Sequence, residues 1–354
     1  MIFEIDDRVY AGFKEFCLHS LVSGGPDPHM RLTGWLCRSL PMEEKLWMIS
    51  CYVGVYNFPV GERIWQEWPW QRVLTESPDE MVGWVVENWK GLALRRERRA
   101  VRTPAKLSHY LVTSAEWLRS GFQKARDGLG SDPLANYEAM WKASQDAVWG
   151  LGRYSCLRLL ESYARYCDVP LLTPDVRPQG GHSPRETLAQ IYPSLADRIR
   201  PHDDSRDAVT VSNLVTVDLV KRLADDRLPV DTYRIGSLLC EYHQQMEGRQ
   251  YPGRANESEI KYIRAIEPYW GSRMNTSIWQ ARRDLHAPEF LGELQGWEGV
   301  RPEPERTYVD HGYVWSDALY SYTDTIDFSN PALRVPYPTD RELLERAHAV
   351  LAAD

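Results

Sequence analysis

The stretch "TPDVRPQGGHSPRETLAQIYPSL", residues 173–195, concentrates side chains able to hold an anion and move a proton. Asp175 sits between Pro174 and Arg177 on what reads as a loop, where a carboxylate can accept a proton from a nucleophile. Eight residues on, Ser183, Pro184 and Glu186 have the form of a capping box, with Ser183 as N-cap of a helix carrying Leu188, Ile191, Tyr192 and Leu195 on one side. A helix start offers unpaired N–H groups and a positive dipole end, and Gly180, Gly181, His182 and Arg185 surround this one with little bulk and extra donors. A phosphate site and an ordinary capped helix behind a loop both satisfy the pattern.

Two further stretches bear on phosphate. Between Lys90 and Arg126 ten basic residues face only Glu97 and Glu116, a local charge of +8 in a chain whose net charge is -8. Arg99, Arg102 and Lys106 lie in this run, and an acidic protein with its positive charge so concentrated is suited to holding phosphates locally. The alternative is a solvated helix face. In "WGLGRYSCLRLLESYARYCDVPLL", residues 149–172, Gly150 and Gly152 make a tight turn between two helical stretches, followed at once by Arg153. Such a turn is either a plain connection or a hairpin whose backbone N–H groups approach a nucleic-acid phosphate because no Cβ stands in the way.

The elements that must position these residues are helical. Neither alternating strand runs nor an internal repeat is present, and the chain of 354 residues reads as mostly α. "MEEKLWMISCYVGVYNF" reads as a buried helix broken by Pro59 and Gly61, "SPDEMVGWVVENWKG" as a helix capped by Ser77 and closed by Gly91. "TPAKLSHYLVTSAEWLRSGF" spaces Leu107, Leu111, Ala115 and Leu118 on one helical face, and "NYEAMWKASQDAVW" leads into the glycine turn. One helical domain over 1–284 is expected, with a Gly-, Pro- and aromatic-rich extension over 285–354 packed on it and ending in a helix capped by "TDRE". The six cysteines are widely separated, which points to buried free thiols and to neither a disulfide framework nor a metal cluster, and no cofactor is expected. The acidic start and the absence of a ~20-residue apolar run favour a cytoplasmic protein without a membrane span.

A carboxylate 23 residues after the second hairpin glycine resembles the arrangement in helix-hairpin-helix DNA glycosylases. The lyase members carry a Lys inside the hairpin, where this chain has Arg153, Tyr154 and Ser155, and the cluster-binding cysteines of other members are missing. "ERRAVRTPAKLSHYL", the hairpin, "TPDVRPQGGHSPRETL" and "LCEYHQQMEGRQYPG" together resemble the alpha-glutamyl/putrescinyl thymine pyrophosphorylase family, in its bacteriophage amino acid:DNA transferase branch, over roughly residues 40–260.

That resemblance implies a glycosylase-like helical fold and a transferase that replaces the pyrophosphate on a hydroxymethyluracil in phage DNA with an amine. The implied partners are double-stranded DNA carrying pyrophosphorylated hydroxymethyluracil and a free amino acid or polyamine. Displacement at the exocyclic methylene asks for cations around the leaving pyrophosphate, for which Arg99, Arg102, Lys106, His182, Ser183 and Arg185 are the candidates. It asks for a base to take a proton from the amine, Asp175 first and Asp168 second. An amino acid's own carboxylate falls to Arg153 or Arg177. The target base must leave the duplex and stack on aromatics that the sequence does not single out. Two other readings stand beside this one: a glycosylase cleaving the N-glycosidic bond, and a non-catalytic DNA-binding or phage interaction protein.

Overall fold

The computed structural model describes residues 3–22, 26–92, 101–173, 182–201, 203, 205–228 and 230–247, and single positions between 259 and 282. In chain order its helices are α1 (Asp7–Val22), α2 (Pro28–Cys37), α3 (Met42–Val55), α4 (Phe58–Glu67), α5 (Trp70–Thr75), α6 (Pro78–Asn88), α7 (Pro104–Glu116), α8 (Phe122–Asp127), α9 (Pro133–Ala147), α10 (Arg153–Tyr166), α11 (His182–Ile191), α12 (Arg206–Asp225) and α13 (Thr232–Met246). No strand occurs among the described residues, so the fold is mostly α. None of the described helices is long and apolar enough to cross a membrane. The chain divides into two compact units, one built from 1–27, 173–256 and 286–354, the other from 28–172 and 257–285. The helical region 1–284 is thus shared between two units, and the expected extension over 285–354 lies outside the described residues.

In the first unit α1 packs with α11, α12 and α13 around Phe13, Cys17, Leu188, Val215, Leu219 and Leu239, all fully buried. Sequence-distant parts are tied by specific bonds. The Asp6 N–H donates to the Ile191 carbonyl at 2.8 Å, Tyr10 Oη to Asp226 at 2.9 Å, and Thr187 Oγ1 to the Leu239 carbonyl at 3.0 Å. Ser205 caps α12 through the Ala208 N–H, and Asp231 caps α13 through the N–H groups of Tyr233 and Arg234.

In the second unit α3 is the central element, buried continuously from Leu46 to Val55. It ends where Tyr56 turns left-handed at φ 46°, and Asn57 then caps α4 by accepting the Val60 N–H. Pro59 and Gly61, expected to break this region, therefore lie inside the next helix. Pro59 fits the first turn, where no N–H is needed. Gly61 is required for close packing, since a Cβ there would stand 2.7 Å from Tyr52 Cα and 3.0 Å from its backbone nitrogen. Gly61→Ala is accordingly expected to lower stability by about 1–3 kcal/mol despite alanine's better helix propensity. A urea titration showing equal or higher stability would contradict this.

Ser77 caps α6 as expected, and it does so in a capping box with Glu80, but α6 stops at Asn88 and a short 3-10 turn, Trp89–Leu92, carries Gly91. Thr103 caps α7, which passes through a π turn at Trp117–Gly121 into α8. Five of the six cysteines are buried free thiols, and Cys240 is half-buried.

Candidate nucleic-acid interface

α9 ends at Ala147 and α10 begins at Arg153, with five residues between them. Between them Val148 is extended and Gly150 takes φ 76°, a left-handed conformation that strains any residue with a Cβ. Leu151 is buried and anchors the turn, while Gly150, Gly152 and Arg153 are exposed. Two hydrogen bonds close the turn: the Gly152 N–H donates to the Gly150 carbonyl at 3.0 Å, and Gln145 Nε2 to the Leu151 carbonyl at 3.2 Å. Gly152 is the N-cap of α10 and brings no side-chain acceptor. The first intrahelical bond runs from the Cys156 N–H to the Gly152 carbonyl at 2.9 Å. A Cβ built on Gly152 would meet only open space. An anion can approach this backbone closely.

α7 buttresses the turn. Thr113 Oγ1 accepts the Trp149 N–H at 3.1 Å, and the His109 ring stacks on Trp149 with centroids 4.7 Å apart and planes within 9°. Lys106, His109 and Thr113 follow at spacings of three and four, so they share one face of α7. That face leads from the glycine turn to exposed Lys106, with exposed Arg102 just ahead of the Thr103 cap. Of the three candidate cations in the basic run, Lys106 thus lies on the helix that supports the hairpin and Arg102 just ahead of it. The third, Arg99, lies outside the described residues, as do Asp175 and Arg177. His109 and Thr113 are the residues that sequence reasoning missed. Their spacing from Lys106 was visible, but nothing in it named the turn as their partner.

Asp168 is exposed and takes φ 51°, just past the C-terminal end of α10, where the Cys167 N–H returns to the Tyr163 carbonyl at 3.1 Å. Its position suits helix termination, since Asp tolerates the left-handed region better than most residues. Fourteen residues of α10 separate the turn from this end, roughly 20 Å at ~1.5 Å per residue. Asp168 and Arg153 therefore cannot contact the amine and the carboxylate of one amino acid.

The remaining candidates belong to the first unit. α11 begins at His182, so Ser183 lies within the first turn and not at the N-cap. Arg185 is buried, and its Nη1 donates to the carbonyls of Arg200 and Asp203. It braces the segment after α11, whereas a phosphate donor at this helix start was expected. His182 Nδ1 lies 2.7 Å from Glu186 Oε2, which also lies 3.0 Å from His243 Nε2. The Glu186 carboxylate thus puts negative charge beside the imidazole that was assigned to pyrophosphate. Among the described residues no group of three or more His, Cys, Asp or Glu is arranged to hold a metal ion. No family model, curated protein or solved structure matches the chain.

Proposed function

We propose that the protein is a DNA-modifying transferase of the helix-hairpin-helix glycosylase type. It docks double-stranded DNA through the glycine turn and joins an amino acid or polyamine to the pyrophosphorylated hydroxymethyl group of a modified uracil, releasing pyrophosphate. The observation that carries this reading is the exposed Gly150–Gly152 turn leading into α10, flanked by the Lys106 face of α7. Backbone N–H groups and exposed cations of this kind fix a duplex by its phosphates without reading sequence. The motif combination quoted from the sequence adds the amine transfer. The hairpin's lack of a lysine favours direct attack by a free amine over a Schiff base on the protein, because arginine stays protonated and is a poor nucleophile.

Pyrophosphate release tests the reading. In a coupled assay the protein should liberate pyrophosphate from duplex DNA carrying pyrophosphorylated hydroxymethyluracil only when both DNA and an amine are present. Release that ignores the amine, or no release with any amine, contradicts it.

A further inference from the structure

Within the second unit, α2 places His29 in a nest of aromatic rings. His29 is 7% exposed, and its imidazole centroid lies 6.1 Å from Tyr52, 6.2 Å from Tyr56 and 6.2 Å from Tyr262. Its Nδ1 lies 3.2 Å from Glu259 Oε1 but makes no aligned hydrogen bond. Glu259 is fully buried, and fully buried Arg282 donates from Nη1 to its Oε2. A buried ion pair is costly to desolvate and is often no more stabilising than well-packed apolar groups. Here it holds a carboxylate oxygen 3.2 Å from an imidazole nitrogen, and a carboxylate that hydrogen-bonds such a nitrogen sets a histidine's tautomer and orientation for proton transfer.

The nest adjoins the hairpin helix. Tyr56 packs edge-on against Tyr154 with centroids 5.4 Å apart, and their hydroxyls share a hydrogen bond. Tyr154 is the second residue of α10, and the Arg158 guanidinium lies 4.8 Å above its ring. The imidazole is therefore two ring contacts from the helix that follows the turn at which a duplex would dock.

Resting on the amine-transfer reading, we propose that His29 is the general base of the reaction, with Glu259 as the residue that positions it. The ammonium form of the donor gives one proton to His29 Nε2. The freed nitrogen lone pair attacks the exocyclic methylene, a C–N bond forms, and the C–O bond to pyrophosphate breaks with its electron pair leaving on oxygen. The imidazolium then releases its proton to water.

The test compares wild type, His29→Gln, His29→Ala, Glu259→Gln and Asp175→Asn for nucleoside product, across pH and with saturating amine. His29→Gln should lower kcat by ~10²-fold or more with DNA affinity little changed, and added imidazole should partly rescue His29→Ala. The groups facing His29 are Glu259, with Arg282 behind it, and the phenols of Tyr52, Tyr56 and Tyr262. The acid limb of the wild-type pH profile should vanish in His29→Gln while the limb set by the amine's own ionisation stays. Glu259→Gln should shift the acid limb without abolishing turnover. A His29→Gln enzyme that folds and works within fivefold of wild type, with Asp175→Asn inactive, overturns the assignment in favour of Asp175. So does an inactive His29→Ala that imidazole fails to rescue. Wild type that yields no product with any amine brings down the amine-transfer reading itself and His29's role with it.

Discussion

Glu161→Ala is expected to cost the second unit about 3–5 kcal/mol of stability, the range for removing one partner of a buried ionic group. Glu161 sits inside α10 with its side chain 3% exposed, 2.5 Å from Arg158 Nη1 through one carboxylate oxygen and 2.8 Å from Arg165 Nε through the other. Both guanidiniums are also withdrawn from water, at 2% and 6% exposure. Truncation leaves two buried cations without the carboxylate between them, a penalty far larger than the loss of an exposed pair. Urea unfolding measures it directly, and a loss below ~1 kcal/mol would show that water or another group compensates the arginines.

The pattern also shows what could not be seen in advance. Residues 158, 161 and 165 recur at helical spacing, and charges so spaced usually form the solvated stripe of an amphipathic helix. Here the stripe faces inward, and two guanidiniums share one carboxylate.

Replacing Arg102, Lys106 and Arg153 together by Gln should weaken DNA binding by about 10²-fold near 0.15 M salt, and should reduce the slope of log K against log salt by ~2.7. The arithmetic assumes one phosphate per cation at ~0.9 released counterions each. All three residues are exposed, so folding should be unaffected. Fluorescence anisotropy over a salt series reads both quantities. Unchanged affinity and slope would reduce these residues to a solvated face and remove the docking role from the hairpin.

Local signals in the sequence translated well into structure. Ser77 with Glu80, Thr103 with Pro104, and the glycine turn all lie where capping and turn chemistry put them, because each depends on residues a few positions apart. Long-range assembly was not legible. α1 joins residues from beyond 180 to make the first unit, and His29 meets Glu259, itself paired with Arg282, across more than 200 positions. No periodicity encodes such meetings, and so the His29 nest carried no signal in the sequence. Tyr56 is a related case. The expected helix break was assigned to Pro59 and Gly61, residues that punctuate chains in general, whereas a left-handed tyrosine followed by an asparagine cap makes it here.

The central claim is that a new bond forms between an amine and a DNA base, and nucleoside mass spectrometry tests it most directly. Duplex DNA containing pyrophosphorylated hydroxymethyluracil is incubated with the protein and each amino acid or polyamine singly, then digested to nucleosides. The account predicts, for at least one amine, a new nucleoside with the mass of thymidine in which one methyl hydrogen is replaced by that amine, with intact strands. Starting nucleosides alone with every amine, or a released free base with matching abasic sites, would contradict it.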